Sequence, residues 1–504
     1  MVITIFVKTI PEFMKLKHFI LCVLCSVAMV SVSTAASLRT AKIFSDHMVL
    51  QQQCDAPIWG WAEPQAKVTV KPSWGGSYST KAADDGTWRV AIETPVYGGP
   101  HSLKITCGKE KIELNDIYVG EVWVCSGQSN MEMPVKGFIG SNQPVNGSVE
   151  ACMEAINYGD RIRIFTVPRN PQEDKPVDDL PSGEWKRASY SSCADCSAIA
   201  YFFAQYVNDA MSVPVGVIVS AWGGTEIAPW MPKDCHAEAL KGLVSEKEYT
   251  IRTNPIKPYK GRPRTAGSLF NGMINPFKGY AARGFLWYQG CSNKRDNTFY
   301  DKLQAAMVER WRKEWGDTES KMPFYYVLIA PYQRAGSANG FSRGYFVENQ
   351  ARTPKLIPNC AYVSTEGMGG GPCIHPAEKK PVSRQLAMLA LDRTYSVKGI
   401  VSGAPEVQKI SLTERKYTIE LTSGLYLFTP SNEAVKGFEV AGEDRVFHPA
   451  KAKIYGNKIT VYVPEEVATP QSVRFAFRDN PESNIQSQYG FPIAPFRSDD
   501  WPLK

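Results

Sequence analysis

Three observations predict an α/β protein with accessory all-β domains. Between about Asp116 and Thr394, short apolar runs alternate with stretches of helical spacing, the pattern of a parallel sheet covered on both faces. From Leu38 to Leu114, short alternating runs are punctuated by turn residues. From Gly399 onward the strand-like alternation returns. A chain of 504 residues needs two or three cores. The division expected is 1–36 as a signal peptide, 37–115 as a β-sandwich-like domain, 116–395 as the α/β domain and 396–504 as a C-terminal β region.

Met14 to Lys17 reads as a charged n-region, Phe19 to Val30 as an apolar h-region, and Ser33 to Ala36 as a small-residue cleavage site. The apolar run is short for a membrane span. Cys25 follows Leu24 rather than a small residue, unlike a lipid-anchor site. An exported chain, periplasmic or secreted and without a membrane anchor, is expected.

In the first β unit the strand candidates are Ala56–Ala62, Lys67–Val70, Thr87–Ile92 and Ser102–Ile105. In the α/β unit they are Val122–Cys125, Arg163–Val167, Val215–Ser220, Phe285–Tyr288, Phe324–Ile329 and Ala361–Ser364. Ile199, Phe202, Phe203, Tyr206 and Val207 fall at helical spacing, as do Tyr300, Leu303, Met307, Val308 and Trp311. Ala377 to Leu391 reads as the last helix. Tyr417–Leu421 and Lys458–Val463 are strands of the tail, which is either a third domain or a layer on the first β unit.

The 57 basic and 50 acidic residues are dispersed, with a net charge of +7 and no long basic run, so nucleic acid is not an expected partner. Of the 12 cysteines, Cys193 and Cys196 form a C-x-x-C without a second pair. Structural thiols or an ordinary bridge fit them better than zinc or redox chemistry.

Ser129, in Gly127-Gln128-Ser129-Asn130-Met131-Glu132, follows the Val122 run and so falls at the edge where open α/β sheets place their ligands. A helix N-terminus there offers free N–H groups and partial positive charge to a developing oxyanion. The hydroxyl needs a base to act as a nucleophile. Five histidines lie beyond residue 36. His47, His101 and His448 fall in the β regions, and His236 lies in a polar stretch. His375 lies in the loop between the last strand and the last helix, on the same rim as Ser129. The Gly223-Gly224 loop and Gln289, each at a strand end, can supply oxyanion donors.

These residues carry a resemblance. Gly-Gln-Ser-Asn-Met-Glu, Trp222-Gly223-Gly224-Thr225, Trp287-Tyr288-Gln289-Gly290 and Ile374-His375-Pro376 look like the motif set of the sialate O-acetylesterase family. Ile43 to Gln51 resembles its opening strand, and Pro495 to Trp501 its closing motif. The resemblance implies an SGNH, flavodoxin-like hydrolase core with accessory β domains, no metal and no cofactor. It implies Ser129 as nucleophile and His375 as general base. Ser129 and Gly224 or Gly223 would give backbone oxyanion donors, and Gln289 with Asn293 side-chain donors.

Two positions depart from the family pattern. Its Gln-Gly-Glu-Ser-Asn run reads Gln289-Gly290-Cys291-Ser292-Asn293 here, and the acid two residues before the histidine is Cys373. Glu366, shortly upstream and followed by a glycine-rich loop, is then the carboxylate to orient the imidazole. The alternative is a Ser–His pair helped by a backbone carbonyl. A disulfide between Cys291 and Cys373 stands beside the reading of two unrelated thiols.

The function expected is removal of acetyl groups from O-acetylated sialic acid through an acetyl-enzyme. Acetylated xylan or another acetylated glycan is the alternative substrate, with Arg283 and Arg295 as candidates for a substrate carboxylate. A catalytically impaired carbohydrate-binding homologue is the rival, since 12 tryptophans suit sugar stacking.

Overall fold

The computed structural model describes residues 37–503, so the expected signal peptide lies outside the described residues. The α/β unit is built on six parallel strands: β1 (Glu110–Gly127), β2 (Ile162–Thr166), β3 (Val215–Ala221), β4 (Gly284–Tyr288), β5 (Phe324–Val327) and β6 (Cys360–Val363). Their spatial order is β2-β3-β1-β4-β5-β6, with Trp185–Arg187 antiparallel on the β2 edge. With β2, the outermost of the six parallel strands, left aside, the order is second, first, third, fourth, fifth. The chain winds away from β1 toward one edge and away from β4 toward the other. The winding therefore reverses between β1 and β4, which opens a crevice at their carboxyl ends.

Successive strand residues face opposite layers. Val122, Val124, Phe285 and Trp287 enter one core, and Trp123, Cys125, Leu286 and Tyr288 the other. Five helices bear on the site: α1 (Ser129–Glu132), α2 (Ala198–Met211), α3 (Tyr300–Glu314), α4 (Ser342–Gln350) and α5 (Lys379–Leu389). The apolar stripe of α3, including Leu303, Met307 and Trp311, packs in the first core together with the N-terminal β unit. Helices α2 and α5 pack together in the second. Ser197 caps α2, its side chain accepting from the N–H of Ala200.

Strand β1 is longer than the Val122–Cys125 run suggests, because its two halves have different partners. The first half pairs antiparallel with Gly98–Cys107 and parallel with Val49–Gln51, and it alternates between exposed and buried positions. The second half lies between β3 and β4 and is buried throughout. The 115/116 division thus falls inside one continuous strand.

The tail forms two four-stranded sheets around a core of its own that includes Ile419, Val440, Val461 and Phe475. It seats on α4: Arg497 Nη2 lies 2.9 Å from Glu348 Oε2, and the Arg343 N–H donates to Asp479 Oδ1 at 2.6 Å.

Candidate active site

Three strands end level. Gly127 of β1 stands opposite Ala221 of β3 and Tyr288 of β4. The segments that follow, Gln128-Ser129, Trp222-Gly223-Gly224 and Gln289-Gly290, share one rim. Gly127 allows the turn into α1. Its φ is +139°, and a Cβ there would lie 2.3 Å from the Tyr288 carbonyl oxygen. Ser129 is the first residue of α1.

From the loop after β6, His375 Nε2 approaches Ser129 Oγ at 2.8 Å. The two residues are 246 positions apart in sequence. The cleft around them is about 600 Å³ and is lined by Trp222, Gly223, Gly224, Arg262, Ser292 and Gln143, among others. That volume suits a sugar-sized ligand. The loop is tied to Asn130, the neighbour of Ser129, by a buried chain: Lys379 Nζ donates to Asn130 Oδ1 at 2.5 Å, and Asn130 Nδ2 donates to the Ile374 carbonyl at 3.1 Å. Burial first, and then the charges of Lys379 and Arg262, bring the His375 imidazole down to about 4. It is therefore neutral at pH 7. Burial also brings Lys379 down to about 7.

The backbone N–H groups of Ser129 and Gly224 have no acceptor among the described residues. The other expected donors are differently employed. The Gly223 N–H donates to Glu132 Oε2 at 2.7 Å, and Glu132 is itself paired with Arg169. Gln289 lies behind the cleft and is fully buried, both its amide protons committed to the Thr225 carbonyl at 3.1 Å and Asn293 Oδ1 at 2.7 Å. Asn293 Nδ2 donates to Asp296 Oδ2 at 2.7 Å, and Asn293 does not line the cleft. These two side chains brace the loops from beneath, a role invisible in a motif.

Glu366 does not reach the histidine. Its carboxylate pairs with the buried Arg343 guanidinium and accepts from Ser483 Oγ at 3.2 Å, which locks it under the C-terminal unit. His375 Nδ1 instead faces Gln143 Oε1 at 2.7 Å. Arg283 pairs with Glu121, below the amino end of β4, and Arg295 with Glu226, so neither guanidinium is free. Arg262, missed in the sequence, is exposed on the cleft rim, and a Cβ on Gly224 would lie 2.6 Å from its Nη1. No carboxylate among the described residues is within 4.0 Å of it. Cys291 and Cys373 are free thiols, as are Cys193 and Cys196. His236 is buried on a separate helix, Lys233–Leu240. No cluster of metal-ligating side chains occurs among the described residues. Trp123, Trp185, Trp230, Trp287 and Trp311 are buried in the core, whereas Trp222 lines the cleft.

A hydroxyl–imidazole pair at the carboxyl ends of a doubly wound sheet, beside free backbone N–H groups, is the arrangement of a serine esterase. The family model described as "Carbohydrate esterase, sialic acid-specific acetylesterase" matches residues 119–377. The chain belongs to this family of carboxylic ester hydrolases. The sialate O-acetylesterase of Homo sapiens is 29% identical over 425 residues, covering 77% of each chain. That of Mus musculus is 28% identical over 458 residues, covering 79% of this chain and 81% of its own. Among solved structures, the carbohydrate acetylesterase XAC1771 of Xanthomonas citri superposes with a TM-score of 0.79 at 30% identity. The match covers 92% of this chain and all of that one.

Proposed function

We propose that the protein is a carbohydrate O-acetylesterase acting on O-acetylated sialic acid, with Ser129 as nucleophile and His375 as general base. The observation that carries this reading is the 2.8 Å approach of His375 Nε2 to Ser129 Oγ on the sheet rim. Ser129 Oγ attacks the acetyl carbonyl carbon as its proton passes to Nε2. The N–H groups of Ser129 and Gly224 receive the oxyanion. Nε2 then returns the proton to the departing sugar oxygen, leaving an acetyl-enzyme. Water, deprotonated by Nε2, attacks that ester, and acetate leaves as Ser129 recovers its proton.

The unpaired Arg262 guanidinium favours an anionic sugar over a neutral acetylated glycan such as xylan, since it is placed to pair with a carboxylate. The reading takes the core as an SGNH, flavodoxin-like hydrolase spanning 116–395, with β domains at 37–115 and 396–504. It also takes the chain as exported behind a signal peptide. No helix among the described residues is long and apolar enough to cross a membrane.

Acetate release from 9-O-acetylated sialic acid tests the function. Ser129→Ala is expected to lower kcat by at least ~10⁴-fold. Arg262→Ala is expected to raise KM for the sialate ester by roughly tenfold while leaving a neutral aryl acetate unaffected. A wild type that hydrolyses acetylated xylan in preference, or no acetate ester at all, would refute the substrate assignment or the catalytic one respectively.

A further inference from the structure

We propose that Gln143 is the positioning residue of His375, holding the imidazole with its proton on Nδ1 and taking the place of a triad carboxylate. The inference deepens the esterase reading and rests on it. Gln143 Oε1 lies 2.7 Å from Nδ1, and no carboxylate oxygen among the described residues bonds that nitrogen. An amide oxygen only accepts, so Nδ1 must carry the proton. Nε2 is then left with the lone pair that receives the serine proton.

The contact is built rather than incidental. Phe138 and Gln143 close a small hairpin, each backbone N–H donating to the other's carbonyl, at 2.9 and 3.3 Å. The Phe138 ring meets the imidazole edge-on, with centroids 5.2 Å apart and planes at 70°. Both ends of one hairpin therefore hold the same ring. Just beyond, the Asn146 N–H donates to the Ala377 carbonyl at 3.0 Å, and Asn146 Nδ2 donates to Glu378 Oε1 at 2.5 Å. These bonds fasten the hairpin to the segment that carries His375.

A carboxylate at this position would orient the ring and also neutralise the imidazolium formed during attack. The amide does only the first. The charged groups that bear on the ring are Lys379 on α5, when it is protonated, and Arg262 on the facing loop.

The test uses the whole protein labelled with ¹⁵N-histidine. With six histidines in the sequence, the His375 signal is identified by its loss in His375→Gln. In the wild type, Nδ1 is expected to be protonated and Nε2 to be an acceptor across neutral pH. Gln143→Met is expected to mix the tautomers and to lower kcat by roughly 10²-fold with KM little changed. Gln143→Glu is expected to keep the tautomer and raise the imidazole pKa by about one unit or more, moving the acid limb of kcat with it. An Nε2-protonated wild type would overturn the proposal. So would a Gln143→Met protein with unchanged tautomer and kcat, or a Gln143→Glu protein with unchanged titration. If the wild type releases no acetate, the spectra still decide the positioning role while the esterase reading fails alone. If Gln143→Met does not fold, the titration of Gln143→Glu decides.

Discussion

In the proposed role of base, His375 lies under the influence of Lys379 and Arg262 and beside the neutral Gln143 amide. Its pH behaviour follows from that setting. A base brought down to about 4 should hold activity across mildly acidic pH, with the acid limb of kcat/KM near pH 4 instead of near 6.5. Lys379→Met removes one of the two charges and should move that limb upward, as read from rates between pH 3 and 8. Stability carries the same sign. The folded imidazole binds its proton more weakly than the unfolded one, so its contribution is complete above about 6.5 and lost as pH falls through about 4. At this scale the sequence reveals the residues with distinctive motifs, Ser129 and His375, because a strand end followed by a polar turn marks a rim. Gln143 leaves no such mark. It is one amide in a loop, 232 positions from the ring it touches. Glu366 misleads for the opposite reason: nearness along the chain says nothing about Arg343, which claims it first. Gln289 and Asn293 look like donors until their bonding partners are known.

Strands and helices of the α/β unit are legible because burial on both faces leaves unbroken apolar runs, and Leu286 and Val217 are as hidden as their neighbours. What the runs conceal is where a strand changes partners. The first half of β1 carries charged residues on its open face, so Glu110 to Asn115 reads as the close of a separate unit. The junction of β1 with α1 is the most constrained joint of the sheet. Gly127→Ala would press a Cβ against the Tyr288 carbonyl in a backbone region that side chains avoid. It should cost about 1–3 kcal/mol, by thermal melting. It should also displace Ser129 enough to lower kcat, while a Gly456→Ala control, whose Cβ meets nothing within 4 Å, should leave kcat unchanged.

Across the whole molecule, the cores distribute unevenly. Val68, Ile105 and Ile58 of the N-terminal β unit share one apolar cluster with Phe285, Trp287 and Trp311 of the α/β unit. The C-terminal unit keeps its own. Calorimetry should accordingly show residues 37–395 melting in a single transition, with any separate, earlier peak belonging to the tail. A distinct melt of 37–109 would contradict this. The sequence separates three compositional zones correctly as patterns, but shared burial is a property of contacts between zones and leaves no trace in either one.

Strand β1 also bears on inheritance and engineering. Because one 18-residue segment is an edge partner at its start and the central rib of the catalytic sheet at its end, the amino-terminal unit is not a cassette. No cut between the two leaves both halves with intact hydrogen-bond ladders. Recombination that exchanged this unit among relatives would have to splice within the rib and preserve its register to the residue, since a slip of one would turn Trp123 and Cys125 to the wrong layer and carry Ser129 off the rim. The tail, built around a separate core and held to α4 by an ion pair and hydrogen bonds, is the end at which this architecture can gain or lose a part.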